Sequence, residues 1–379
     1  MFSREGFTLD VVAGAVRNWV LTPTTTLPLA LGLTWEPLFS RLIQRVSTDR
    51  AKAIRSRVYW LAAASFILAL NDQLNRQSAN NWVSDSRWNW DDEIVVVTGG
   101  SSGIGASVCQ RLIARNPRTR IIIIDYVPLS WTPPRGARVY YYECDLSDAY
   151  AIKLVCDRIK VEVGHPTVLF NNAGLARGST VMEGTSNDVQ LTLKTNLIAP
   201  FLLVKEFLPE MVRRDHGHIL NTGSMSSVIS APTIVDYSAS KAGLTALHEK
   251  LTNMTPQGLQ LELKSLHRAP RVRLTLGIFG FIRTPLFTGK TNESNFVTPL
   301  LNVETVSEKL VEAVYSGYGG TIYLPGVMRY ITALKGGPEW FFRRIRERSL
   351  RVDYDFHRQQ HRYDKETGKR IGAALEPLE

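Results

Sequence analysis

Cysteine is scarce: Cys109, Cys144 and Cys156 are the three in a chain of 379 residues. An odd number placed inside core-like apolar segments argues against a disulfide framework. It suits a reducing compartment, with each thiol a small buried apolar residue. Internal repeats and low-complexity tracts are absent. So are an early basic region, an apolar core and a small-residue cleavage site at the start, and a secreted protein is therefore not expected. Asn253-Met254-Thr255 has the pattern of a glycosylation acceptor but would stay unused on a cytosolic face. No metal site is expected. Long apolar runs are also missing. Leu27–Leu33 is short and broken by Pro28, and Val58–Leu70 falls below the ~20 residues of a membrane-spanning helix.

Positive charge is in excess, with a formal net charge of +10. Much of it lies around Arg41 to Arg57 and Arg343 to Arg351, beside apolar and aromatic residues. That mixture suits an anionic membrane surface better than nucleic acid, and no nucleic-acid partner is expected. Val58–Leu70 follows Arg50, Lys52, Arg55 and Arg57, as in a helix lying in a membrane interface. A packed soluble helix and a true span are the competing readings. Trp82, Trp88 and Trp90 precede the first strand and either meet a membrane interface or pack on the domain. Trp340-Phe341-Phe342-Arg343-Arg344-Ile345-Arg346 reads as an interfacial amphipathic helix, and the charged tail beyond Arg351 as loose chain. The expected organisation is a membrane-associated region over 1–90, a catalytic domain over 91–328 and an amphipathic and polar tail over 329–379.

The middle region alternates strand and helix patterns. Ile94–Val97, Ile121–Ile124, Val139–Tyr142, Val168–Phe170, His218–Asn221, Val272–Ile278 and Thr321–Leu324 read as strands. Helical patterns such as Ala149–Val163 and Val189–Arg214 lie between them, and another starts near Tyr237. Nearly unbroken apolar strands joined by helices predict an α/β fold: a doubly wound parallel sheet of about seven strands, covered on both faces.

Its organising stretch is Val95-Val96-Val97-Thr98-Gly99-Gly100-Ser101-Ser102-Gly103-Ile104-Gly105. A β-branched run stops at glycines and a helix follows, the layout that lets backbone and a helix N-terminus approach a dinucleotide pyrophosphate. Asp125 ends the second strand, where its carboxylate would hold the ribose hydroxyls and repel a 2′-phosphate, favouring NAD over NADP; the bland reading is a strand terminus. Asp145, with the Leu146 backbone, would read the adenine edge, unless Asp145 or Ser147 only caps a helix. Asn172, Ala173 and Gly174 would let the chain pass close to a cofactor and tie neighbouring strands, or form a polar turn. Tyr237 and Lys241 share a helix face, Ser224 follows a predicted strand, and Asn196 lies in a long helical pattern.

These pieces stand in the order found in the short-chain dehydrogenase/reductase family, which the chain resembles. They are Thr98-Gly99-x-x-x-Gly103-x-Gly105, Asp125, Asp145, Asn171-Asn172-Ala173-Gly174, Asn196, Ser224, Tyr237-x-x-x-Lys241 and Gly280-x-x-x-Thr284. The flanks, with Asn80-Asn81-Trp82-Val83-Ser84-Asp85, are similar to the membrane-associated retinol and 17-beta-hydroxysteroid dehydrogenase branch and its fungal relatives. The resemblance implies an NAD(P)-dependent oxidoreductase interconverting a hydrophobic alcohol and its carbonyl: a retinoid, steroid, fatty aldehyde or polyketide. It implies Tyr237 as acid and base, Lys241 lowering the tyrosine pKa and holding the ribose, Ser224 binding the substrate oxygen, and Asn196 holding a relay water. Gly99, Ser101, Ser102, Gly103, Ile104, Gly105, Ile282 and Thr284 would join Asp125, Asp145, Leu146 and residues 172–174 around NAD or NADP.

The implied place is the cytosolic face of the endoplasmic reticulum or a lipid droplet. Two departures stand out. Phe279 occupies the position where the family usually has Pro, removing a φ restraint. An insertion at Asn253–Gln260, with Pro256 and Gly258, interrupts the helix that commonly forms the family's dimer face, so a homodimer there would be kept, remodelled or blocked. These departures support a rival reading: a non-catalytic nucleotide-binding protein of membranes or lipid droplets. Substrate selection is expected after Thr284, at Pro285, Leu286, Phe287, Phe296 and Val297.

Overall fold

Seven parallel strands form one sheet in the computed structural model, which describes residues 3–248, 259–287, 295–334 and 337–348. They are β1 Ile94–Thr98, β2 Arg120–Asp125, β3 Val139–Glu143, β4 Val168–Asn171, β5 Gly217–Thr222, β6 Val272–Phe279 and β7 Gly320–Leu324. Each expected strand is present, and the order β3-β2-β1-β4-β5-β6-β7 is that of a doubly wound sheet. Every residue of β1, β4 and β6 is buried, because helices cover both faces. On one face lie α5 (Gly103–Arg115) and α11 (Val303–Tyr315), through Val108, Leu112, Leu310 and Val314. On the other lie α6 (Ala149–Glu162) and α8 (Ala199–Arg214), through Ile152, Ile159, Leu203 and Phe207. The order reverses between β1 and β4, which opens the cleft at the carboxyl ends of these strands.

Local chemistry sets the helix boundaries. Asp148 caps α6 by accepting from the Tyr150 and Ala151 N–H groups, so neither Asp145 nor Ser147 takes that job. Thr185 and Asp188 form a reciprocal capping box at α7 (Ser186–Leu193). The single helix expected over Val189–Arg214 is in fact α7, a π-turn at Lys194–Ile198 and α8. The remaining elements of this unit are α9 (Val235–His248), α10 (Leu259–Leu261), α12 (Met328–Leu334) and α13 (Glu339–Arg348). Residues 253–258 of the expected insertion, with the acceptor Asn253, and the tail beyond Arg348 lie outside the described residues.

The chain divides into two compact units between Trp82 and Val83. The first holds α1 (Leu9–Ala15), α2 (Pro23–Thr34), α3 (Glu36–Arg45) and α4 (Thr48–Ala79). Two expectations need correction here. Pro28 does not break its segment: α2 runs through it, six residues into the helix. The apolar run Val58–Leu70 is only the middle of α4, whose 32 residues reach about 48 Å at a rise of 1.5 Å each. By length and composition α4 can cross a membrane. The helix is longer than the apolar run because polar and charged residues extend it at both ends. Apolar side chains are largely outward in this unit: Trp19 is 76% exposed, Trp60 75% and Leu31 67%. Inside it, Thr26 of α2 and Ser65 of α4 share a buried hydrogen bond.

Trp88 and Trp90 are not interfacial. Trp90 stacks on Tyr315 at 3.8 Å and Trp88 lies 4.2 Å from His216, while Trp82 is exposed. They belong to a strap over the amino ends of the strands. His216 Nδ1 lies 2.7 Å from Asp85 Oδ2, and Nε2 lies 3.4 Å from Glu93 Oε1. Arg273, buried in β6, donates to the Val83 carbonyl, and Arg87 donates to the Arg214 and Asp215 carbonyls. Burial alone would lower the His216 pKa, but hydrogen bonds and charge from Glu93 and Asp85 outweigh it and raise the value above 6.5. The raised group stabilises the fold fully below the unfolded value and loses that contribution as pH rises through the folded value. The melting temperature should therefore fall as pH climbs from 6.5 through the raised His216 value. His216→Gln should flatten that slope, and an unchanged slope would remove His216 as its source.

Candidate active site

Glycine geometry sets the floor of the cleft. Gly99 (φ +66°) and Gly103 (φ +57°) adopt the left-handed region that side chains disfavour. A Cβ on Gly99 would sit 2.9 Å from Ala173 Cα, and one on Gly105 only 2.1 Å from the Gly99 carbonyl oxygen. The loop after β1 is thus folded tightly back on the first turn of α5. Thr98 Oγ1 accepts from the Asn172 and Ala173 N–H groups at 3.0 Å, and Asn172 Nδ2 donates to the Thr98 carbonyl at 3.1 Å. This is the strand tie expected of the amides after β4.

Two cavities open from that floor. The smaller, about 140 Å³, is lined by Gly99, Ser102, Gly103, Ile104, Asp125, Asp145, Leu146, residues 172–174 and Thr284, among others. The larger, about 340 Å³, is bounded by Ser224, Tyr237, Lys241 and Thr284 among its polar residues and mainly by apolar side chains, Ile282 included, elsewhere. Asn172, Gly174, Ile104 and Thr284 line both.

Some expected residues act from behind these walls. Ser101 is fully buried, donates its hydroxyl to the Val127 carbonyl at 2.8 Å, and does not line either cavity; nor does Gly105. Asp125 faces the smaller cavity, but its carboxylate already accepts from Ser101 N at 3.0 Å and from Tyr126 N at 2.8 Å. It therefore shapes the glycine loop as well as ending β2. Burial raises its pKa despite those bonds.

Asn196 is also behind the wall. It sits in the π-turn, fully buried, with Oδ1 accepting from Leu175 N (2.9 Å) and Nδ2 donating to Leu175 O (2.8 Å) and Ser240 Oγ (3.1 Å). Its amide fixes the loop carrying Gly174. Asn196 thus stands at the kink between α7 and α8, the alternative weighed for it in the sequence.

Ser224, Tyr237 and Lys241 meet in the larger cavity. Ser224 caps the short turn after β5, accepting from Ser226 N at 3.2 Å and from the Ser226 hydroxyl at 2.9 Å, and lines the cavity together with Tyr237. Burial raises the Tyr237 pKa, and the nearby Ser224 hydroxyl offsets only part of this. Lys241 Nζ lies 5.7 Å from the Tyr237 ring centroid and donates to the Thr222 carbonyl at 2.8 Å. Burial lowers its pKa to about 8. The expected depression of the Tyr237 pKa by Lys241 is thus not the dominant effect here, because Lys241 is buried and Tyr237 partly so, and burial works against each charged form.

Phe279, where a Pro was expected, lies almost fully buried with its ring over Gly277: a Cβ there would meet Phe279 Cζ at 2.2 Å. Gly280 N donates to the Leu324 carbonyl at 2.8 Å, so pairing with β7 supplies the restraint that proline would give.

Two features escaped the sequence reading. Arg177, 3% exposed, lines the smaller cavity and pairs with Asp188 at 2.6 Å. Met328 and Ile331 of α12 line the larger one, so a domain boundary at 328 cuts through a wall of the site. Cys109, Cys144 and Cys156 are buried and unbridged, with thiol pKa values raised by burial, as expected of inert apolar residues. Among the described residues no cluster could hold a metal ion.

The cleft fits a dinucleotide. The glycine cradle leaves the α5 N-terminus open to a diphosphate, and Thr195 Oγ1, beside the smaller cavity, is buried without a partner.

Comparison with known proteins agrees. Residues 93–260 match the short chain dehydrogenase family model. The chain is 38% identical over 208 residues to Dehydrogenase RED2 of Cochliobolus heterostrophus, covering 55% of this chain and 75% of the relative. It is 28% identical over 263 residues to epidermal retinol dehydrogenase 2 of Mus musculus, covering 67% and 80%. A short chain dehydrogenase of Burkholderia cenocepacia solved with NADP has a TM-score of 0.53 at 21% identity, over 68% of this chain and 99% of that one.

Proposed function

Because the chain belongs to the short-chain dehydrogenase/reductase family, in the branch of fungal RED2 and the retinol dehydrogenases, we propose that it interconverts a lipophilic alcohol and its carbonyl. The observation that carries this reading is the Ser224–Tyr237–Lys241 cluster at the polar edge of a predominantly apolar cavity of about 340 Å³. A nicotinamide dinucleotide, when bound in the adjoining cleft, supplies or accepts the hydride. Gly99, Ser102, Gly103 and Ile104 would face its diphosphate, Asp125, Asp145 and Leu146 its adenosine, and Gly174, Ile282 and Thr284 its nicotinamide end.

During reduction Tyr237 donates its phenolic proton to the carbonyl oxygen, and during oxidation it takes the proton back. Ser224 donates a hydrogen bond to the same oxygen as charge develops there. Lys241 holds the ribose hydroxyls and offsets negative charge on the phenol. Asn196 is a positioning residue, holding the Gly174 loop against α9 through Leu175 and Ser240.

Asp125 favours NAD, since among the residues lining the smaller cavity only Arg177 is cationic and it pairs with Asp188, away from β2. The testing assay is hydride transfer from NADH and NADPH to retinal, a 17-keto steroid and a long-chain aldehyde, with detergent-solubilised protein. Turnover that depends on Tyr237 supports the reading, and turnover indifferent to Tyr237 contradicts it.

The exposed apolar residues of α2 and α4, with Trp340 and Phe341 of α13 beside Arg343 and Arg344, support attachment to an anionic membrane or lipid-droplet surface on the cytosolic side. The full chain should sediment with phosphatidylserine-containing vesicles, and removal of residues 1–82 should leave most of it in the supernatant. A full-length chain soluble without detergent or lipid would refute attachment.

A further inference from the structure

Substrate selection was expected only in the segment after Thr284. The larger cavity has a second apolar wall, made by a helix that follows β7. Met328 and Ile331, one turn apart in α12, both line it. Met328 is 6% exposed and packs with Met225, Leu276 and Ile278. Met225 is the residue after Ser224, so this wall adjoins the loop that carries the serine hydroxyl. The opposite face of the same helix is open, with Tyr330 67% exposed. Apart from Lys241, no lining residue of this cavity is charged, and the α12 side chains that face it are apolar, so the group that meets this wall is uncharged.

We propose that Met328 and Ile331 form a specificity-determining wall that sets the bulk of the apolar group carried next to the reacting carbonyl. The inference rests on the oxidoreductase reading and deepens it. Methionine suits this position because its unbranched, polarisable side chain adapts to shapes that a β-branched residue would exclude. Adding or removing a few methylene-sized groups in such a pocket changes discrimination by about tenfold or more.

The test compares Met328→Trp, Met328→Ala and Tyr330→Ala with the parent enzyme. The first readout is the ratio of kcat/KM for a 17-keto steroid to that for hexanal. Met328→Trp should lower this ratio about tenfold and Met328→Ala should raise it, while Tyr330→Ala, on the open face of α12, should leave it unchanged. The second readout is the affinity for Nile red, an uncharged apolar fluorophore, which needs no turnover. Met328→Trp should weaken it and Tyr330→Ala should not.

Ratios that do not move with Met328, or that move equally with Tyr330, overturn the proposal. If the parent enzyme turns over none of the probes, Nile red decides alone. A Met328-specific loss then keeps the wall while the oxidoreductase reading fails, and no such loss removes both.

Discussion

Tyr237→Phe should lower turnover by about 10²–10⁴-fold while leaving cofactor affinity unchanged. The substitution removes one hydroxyl from a partly buried ring, keeps its volume, and leaves Lys241 and the glycine cradle in place. Its effect should therefore appear in kcat rather than in the dissociation constant for NADH, read by quenching of protein fluorescence. Burial holds the Tyr237 pKa above its ordinary value near 10, so at neutral pH the phenol is in its acid form. Carbonyl reduction should accordingly be flat through neutral pH, and alcohol oxidation should rise towards alkaline pH as the phenolate forms. Near-parental turnover in the Phe variant, or oxidation that falls with rising pH, would remove Tyr237 from the proton transfer.

Gly105→Ala should weaken cofactor binding by about 10–100-fold and lower the melting temperature, a penalty of about 1–3 kcal/mol for overpacking. The new methyl group would lie 2.1 Å from the Gly99 carbonyl oxygen and 2.8 Å from Asn172 Nδ2. Neither neighbour can retreat cheaply, because one is backbone and the other ties β4 to β1. The loop must open, and with it the N–H groups proposed to face a diphosphate. Gly320→Ala is the matched control, since a Cβ there meets nothing within 4 Å. Parental affinity and melting temperature in Gly105→Ala would show that the cradle tolerates the displacement.

Much of this was legible in the chain itself. The strands were readable because a parallel sheet covered on both faces demands unbroken apolar runs, such as Ile121–Ile124. The glycine loop and the Tyr237–Lys241 pair were readable because turn chemistry and helical spacing are local. Asp148, rather than Asp145 or Ser147, took the α6 cap, a choice among adjacent candidates that spacing alone does not make. α4 was underestimated because a helix ends where its hydrogen bonds end, not where its apolar run ends.

What the amino-acid order determined by itself, then, is the alternation of strand and helix, the loop after β1 and the residue types able to move a proton. Folding alone decided what those residues face. It turned Ser101 and Asn196 away from the cavities, set burial rather than Lys241 as the main influence on Tyr237, drew Arg177 to Asp188, and brought α12 onto the wall beside Ser224. The reason is physical: a side chain's type and local spacing are written in the chain, whereas burial, electrostatic surroundings and the far wall of a cavity come from segments distant in sequence.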